Sequence, residues 1–323
     1  MGVEYTKGMS LIPWMVMAAG SVAADYTNPI SYQDTPEPAH HFRVQFENDS
    51  AFNQDRNYSH GTRLDYAQSF SRCREIILGA SLTQNIYTPE THTTHANRGE
   101  HPYAGSLTLG GAVMFETDFF GQTVELQVGV MGKHSYAKEA QNNLHDLMGM
   151  ETWDGWRYQV PSEMIVQYSQ RNDFNIPISS PYADGLVFTR MDIGNMRLGA
   201  GLGAAFRIGK NLPQNMQVVG NDPANYSVGI LSRPDYNPKE SSYFLLMQAE
   251  LRYVARDFSV DGGMFHHFDS TCSREPWQAT GVLGFGVVRH NIEYFAGGVL
   301  QSRTYGSQEH NSLYGTFSVS WNW

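Results

Sequence analysis

The last eleven residues of the chain, Leu313 to Trp323, alternate strictly between two kinds of side chain. In an extended segment Leu313, Gly315, Phe317, Val319, Trp321 and Trp323 share one face, and Tyr314, Thr316, Ser318, Ser320 and Asn322 share the other. A soluble sandwich would hide such an apolar face in its core and would rarely end on Trp-Asn-Trp. A strand that crosses a bilayer turns the apolar face to lipid and keeps aromatics at the interface. The segment therefore restricts the chain to folds that can close a sheet within a membrane.

The alternation recurs along the chain, over Phe42 to Glu47, Arg63 to Tyr66, Ile76 to Leu82, Leu107 to Phe115 and Val124 to Val130. Later runs cover Met196 to Ile208, Tyr243 to Tyr253, Ala279 to Val287 and Ile292 to Leu300, with weaker ones at Met164 to Tyr168 and Leu186 to Met191. The count is about twelve, which predicts an all-β, transmembrane antiparallel β-barrel with both termini on the periplasmic side. After the N-terminus no stretch is long and apolar enough for a helical span. Aromatics at 13% and 31 glycines against only 22 Lys and Arg suit a sheet with aromatic rims. Inward glycines such as Gly199, Gly201 and Gly203 would let a modest barrel close around a packed interior. The net charge of -10 argues against nucleic acid as a partner.

Met9 to Ala19 is a short apolar core followed by small residues up to Ala24, the pattern of a secretory signal peptide. Residues 1–24 are thus expected to be removed, leaving 25–323 as the barrel domain behind a polar lead-in from Asp25 to His41. Counting strands puts the turn at Ser71 to Arg74 on the periplasmic side and the loop around Cys272 on the other. Cys73 and Cys272 would then lie too far apart to bridge, so two free thiols are expected.

Ser135 to Gly149 breaks the alternation with helix formers and a glycine stop, and predicts an extracellular helix lying over the barrel mouth. Gln141 and His145, four apart, share one of its faces. Glu47-Asn48-Asp49 and Asp55-Arg56-Asn57-Tyr58-Ser59 lie at the same rim, and strand parity points Asp49 and Ser59 inward, on the side of Glu47 and Arg63. Carboxylates there suit calcium, and a histidine beside them can serve as a general base on water. Asx-rich segments near strand ends are more often turns, and a lone helix histidine is more often solvated. For His92, His95, His101 and the pair His266–His267, no spacing supports a metal, and exposed loop residues are expected.

At these residues the sequence resembles the outer-membrane lipid A 3'-O-deacylase family (LpxR-like). The resemblance runs through Glu47-Asn48-Asp49, Asp55 to Gly61, Ile86-Tyr87-Thr88-Pro89 and Glu100 to Gly105. It is sharpest from Glu139-Ala140-Gln141 through His145, Gly149, Glu151 and Gly155-Trp156, and it continues over Gly194-Asn195, Leu198 to Gly209 and the closing strand. It implies a calcium-dependent esterase of the outer membrane that removes the 3'-linked acyloxyacyl group from lipid A in the outer leaflet. His145 would activate water, and Asp49 and Glu151 would hold Ca2+, which polarises the ester carbonyl. Asn48, Ser59 and Gln141 would complete the site. One departure is Glu100-His101, where the family carries Asp-Arg; the loop Glu90 to Arg98 does not align with the family, so the residues that grip the lipid A phosphates are unassigned. The expected partners are lipopolysaccharide and the membrane itself, with the protein a monomer. The rival readings are a phospholipase-type barrel with the same ester chemistry, and a non-enzymatic porin or adhesin.

Overall fold

The computed structural model describes residues 40–52, 56–69, 76–91, 98–117, 119–149, 152–226 and 235–323. Residues 1–24, Cys73 with its turn, Asp55, His92, His95 and Glu151 lie outside the described residues. Twelve antiparallel strands form one closed barrel in which each pairs with its sequence neighbours. They are β1 (His40–Asn48), β2 (Asn57–Ser69), β3 (Ile76–Thr88), β4 (Ala104–Glu116), β5 (Phe120–Met131) and β6 (Glu163–Asn175). They continue as β7 (Ala183–Gly194), β8 (Arg197–Lys210), β9 (Ser242–Asp257), β10 (Trp277–Arg289), β11 (Ile292–Gln301) and β12 (Ser312–Asn322). The barrel closes where β1 meets β12, from His41 opposite Asn322 to Asn48 opposite Gly315. Closure is what allows a sheet to stand in lipid, because every backbone polar group finds a partner.

On β12 the predicted faces hold. Phe317 and Trp321 are exposed, whereas Thr316, Ser318 and Ser320 are buried in the lumen. At the end where β1 begins and β12 ends, Trp323 stacks on His40 with ring centroids 5.3 Å apart and lies 4.9 Å from Trp321. Tyr253 and Trp277, 5.2 Å apart, mark the opposite rim. The weak alternation of β6 has a local cause. Its outward Gln170 and Asn172 are polar and join each other, Gln122 and Thr189 in a ladder on the wall.

The lumen is filled. Arg43, Arg63, Arg171 and Arg207 point inward and are completely buried. They pair with carboxylates, as Arg63 does with Glu125 at 3.2 Å and Arg171 with Asp173 at 3.0 Å. The same arginines, with Arg190, also bind backbone. The β8–β9 connection turns back into the barrel, with Leu212, Met216, Val218, Ala224 and Tyr226 fully buried. Arg207 donates to the carbonyls of Pro213 and Asn215, Arg190 to that of Pro223, Arg171 to that of Tyr226, and Arg43 to that of Asn225. Irregular backbone is tolerated inside a barrel only when its groups are satisfied in this way. Inward glycines give room for large neighbours, and a side chain on Gly203 would collide with the Phe188 ring.

The loop histidines divide. His266 and His267 are exposed, as expected. His101 is not: it is 3% exposed, stacks on Tyr87 at 5.4 Å and meets the Tyr305 ring at 5.8 Å. The expectation of an exposed loop residue fails because the 98–103 loop folds inward, while Glu100 stays at the surface and accepts from the Thr91 amide and hydroxyl. Cys272 is half-buried with a free thiol, and burial pushes that thiol up to about 11.

Two outcomes follow. The purified protein should show no channel conductance in planar bilayers, and excising residues 213–226 should open one; a conducting wild type would show that the inserted segment does not seal the lumen. Burial lowers the His101 imidazole to about 4, against the opposing pull of its bond to the Pro102 carbonyl. Between that value and the ordinary 6.5 the unfolded chain binds the extra proton, so stability is lost as pH falls through this window. His101→Gln should flatten that part of the pH–stability curve in urea unfolding, and an unchanged slope would contradict this source.

Candidate functional site

Two separate spaces flank the end of β1. Inside the barrel is a small polar chamber lined by Glu47, Tyr58, Tyr87, Arg197, Asp222 and Arg252 among others. Outside it is a cleft of about 410 Å³ whose lining includes Phe46, Asn48, Asp49, Leu144, His145 and Phe317. Strand alternation explains the separation. Glu47 points into the lumen, whereas Phe46 and Asn48 on either side point to the outer wall.

This corrects the expected inward placement of Asp49 and Ser59. Asp49 has left the ladder. It opens a single 3-10 turn, Asp49–Phe52, that folds over the outer wall, and its carboxylate accepts from the Arg56 amide at 2.6 Å. Ser59 occupies a bulge between Tyr58 and His60, where strand parity is broken. Tyr58 keeps the lumenal side, with its hydroxyl donating to Glu47 at 2.7 Å. The Ser59 hydroxyl instead bonds that of Thr88, which lies two residues from Ile86 on the outer face of β3. The Asn48 amide joins the two segments, donating to the Ser59 carbonyl at 3.1 Å and accepting from the Ser50 amide at 2.8 Å.

The opposite wall of the cleft is α1 (Ala137–Met148), which ends on Gly149 in the left-handed conformation, φ 69°. The helix was expected over the barrel mouth; it packs against the outside of the wall instead. Ile86 and Gly105 face each other across β3 and β4 on the outer surface. Ile86 is nonetheless 0% exposed, because it sits in a cluster with Tyr103, Ala137, Trp153 and Trp156. A side chain at Gly105 would collide with Ala137, so the glycine permits the close approach.

Along α1, Ala137, Gln141 and His145 form the buried stripe. His145 is only 6% exposed and meets the Trp153 ring edge-on at 6.2 Å. One turn earlier the Gln141 carbonyl accepts from the Trp156 indole at 2.9 Å. Asn142 accepts from the Trp153 amide at 3.1 Å and donates to its carbonyl at 3.4 Å. The helix is thus fastened to the 152–158 segment, which in turn packs on the barrel.

Of the residues singled out from sequence, Asn48, Asp49 and His145 line one cleft, while Ser59 and Gln141 hold its frame. Thr88, Asn142, Leu144 and Trp153 were not anticipated. The pair Asn142 and Trp153 had a faint signal in lying beside Gln141 and before Trp156; Thr88 lay in the Ile86-Tyr87-Thr88-Pro89 match, but its role depends on the bulge, which the sequence does not show. No group of three or more His, Cys, Asp or Glu that could hold a metal occurs among the described residues. The Asp49 carboxylate and Asn48 carbonyl are hard oxygen donors, fitting calcium in kind.

The fold is similar to that of LpxR from Salmonella typhimurium, with a TM-score of 0.74 and 15% identity, covering 87% of this chain and 99% of that one. Other barrels are much less alike. The KdgM porin gives a TM-score of 0.36 at 8% identity over 88% of this chain and 98% of that one. The translocator domain of NalP from Neisseria meningitidis gives 0.43 at 10% over 96% and 94%. No curated protein matches the sequence. The family model described as outer membrane protein LpxR matches residues 11–323, nearly the whole chain, and the chain therefore belongs to the LpxR family of outer-membrane barrels.

Proposed function

We propose that this barrel is a calcium-dependent esterase that removes the 3'-linked acyloxyacyl group from lipid A, with its cleft facing the outer leaflet. The observation that carries the proposal is the placement of His145 opposite Asn48 and Asp49 in a cleft on the lipid-facing wall. A soluble substrate has no reason to be met there; an ester held at the membrane surface does. The filled lumen is a further argument against the porin reading.

In this mechanism His145 takes a proton from a water molecule as the water oxygen adds to the ester carbonyl carbon. The carbon–oxygen bond to the sugar then breaks, and the proton returns to the departing alkoxide, giving a fatty acid and a free hydroxyl. Trp153 and the Gln141–Trp156 bond keep the helix, and so the imidazole, in place. Asn48 fixes the turn that presents Asp49. Calcium, when bound by Asp49 and Glu151, supplies positive charge at the ester oxygen. The even strand number, and the turns at the end where β1 begins and β12 ends, short except for the inserted β8–β9 connection, support a periplasmic placement of that end, which leaves the cleft at the outer surface.

Mass spectrometry of lipid A from cells expressing the wild type should show loss of the 3'-acyloxyacyl mass. His145→Ala should lower the rate by about 10²–10⁴-fold while the protein keeps heat-dependent mobility on mild detergent gels. Intact lipid A with the wild type, or phospholipids cleaved in its place, would sink the assignment. Chelation should abolish activity and added calcium should restore it, with Asp49→Asn requiring more calcium than the wild type. Full activity in chelator would remove the metal from the mechanism and leave the hydrolysis standing.

A further inference from the structure

The outer wall below the cleft has an uneven surface. Across four strands, Phe46, Phe317, Ala296 and Phe285 fall opposite one another in one lipid-facing row. Ala296 is the one small residue of the four and leaves a gap between two phenylalanines. One row nearer the loops, Asn48, Gly315 and Gly298 are aligned in the same way. Over those two glycines lies the Asp49–Phe52 turn. A Cβ on Gly315 would stand 2.8 Å from that of Ala51, and one on Gly298 would stand 3.2 Å from the Phe52 ring. The turn thus roofs the upper row, and the cleft continues downward past Ala296, which lines it together with His145, Leu144 and Phe317. Its lower end merges with the apolar belt that faces lipid.

We infer that this trough seats one acyl chain of the amphiphile being hydrolysed, and that Ala296 determines which chains fit. The inference rests on the esterase reading and deepens it. An ester held between His145 and Asp49 has to send its acyl chain somewhere. The continuous apolar path from that point runs between Phe317 and Phe285, over a methyl group, into the hydrocarbon layer. A chain laid there stays in contact with apolar side chains throughout, so the ester can reach the histidine without its tail crossing water.

The experiment compares the wild type, Ala296→Phe and a control, Ala249→Phe, which changes an equally exposed alanine on the outward face of β9. Each is assayed in detergent micelles against butyryl and myristoyl chromogenic esters and against lipid A. Heat-dependent mobility reports folding in each case. Filling the gap should cut kcat/KM for the myristoyl ester and lipid A by about tenfold or more, within the range that pocket shape alone can impose. The butyryl ester, which fills only the start of the trough, should lose far less than the myristoyl ester, and the control should leave both rates unchanged. An unchanged chain-length preference in Ala296→Phe, or an equal loss on short and long esters, would overturn the trough. A wild type that cleaves neither ester nor lipid A would overturn the esterase reading itself, and the trough with it.

Discussion

The pairing of the first strand with the last is the constraint on which the remaining structure depends. In hydrocarbon an unpaired strand edge would leave a row of amide and carbonyl groups with no partner, so the sheet has to close. The register that closes it also builds the candidate site. With Asn48 opposite Gly315, the chain leaves β1 at a point where the facing wall lacks a side chain. The Asp49–Phe52 turn can then lie flat on the outside of the barrel instead of arching over its mouth. A slip of one residue would exchange the two faces of β12, turning Thr316 and Ser318 to lipid and Phe317 to the lumen. It would also take Gly315 away from Ala51. Membrane compatibility and site geometry are therefore fixed by the same ladder.

The two faces of the wall divide the work. Inside, charge is used for structure: buried arginines pair with carboxylates and at the same time hold the carbonyls of the inserted 211–226 segment. Removing one partner from such a pair would leave a charge with no solvent, at a cost of roughly 3–5 kcal/mol. A lumen so occupied offers no path for a large amphiphile. Outside, apart from the Gln122, Gln170, Asn172 and Thr189 ladder on the wall, the polar groups that could do chemistry gather at the rim, where Asn48, Asp49 and His145 meet. The bulge at Ser59 belongs to this division, because it lets Tyr58 stay with the lumenal network while the next residue braces the outer site.

Most of the barrel was legible in the sequence because each strand has one apolar and one polar face, and a period of two survives even where propensity is weak. β12 declared itself over its whole length. β6 was harder to see because its outward Gln170 and Asn172 hide the period. The inserted 211–226 segment could not be read as such: its apolar residues follow no period, and the arginines that hold it are spread over β1, β6, β7 and β8. The long gap between β8 and β9 at an end that otherwise has short turns was the available sign. The site was legible by residue and misplaced by face. Parity counting carried Asp49 and Ser59 into the lumen because it assumed an unbroken strand on both sides of the loop. A 3-10 turn in one case and a bulge in the other cancelled that assumption, and neither leaves a distinctive pattern in the sequence.

The polarity of α1 follows from where it lies. A helix on a soluble protein buries its apolar residues and presents its polar ones. Here Gln141 and His145 are buried, while Leu147, two residues beyond the histidine, is 84% exposed. Lys138, Glu139, Asn143 and Asp146 are exposed as on a soluble helix, but packing against a core does not by itself account for the exposed leucine and the buried polar pair. A helix that stands beside a membrane wall, with a polar cleft on one side and lipid on another, has reason to adopt that arrangement. Trp153 and the barrel wall cover the histidine, which is 6% exposed. The clasp of Asn142 on Trp153 adds to the packing of Ala137 and Ala140 on the Ile86, Tyr103 and Trp156 cluster, because a helix with few large apolar residues to bury needs other contacts to hold it in place. Hydrogen bonds to the 152–158 segment and the close approach at Gly105 provide those contacts, and they bring His145 to the end of the trough that passes Ala296.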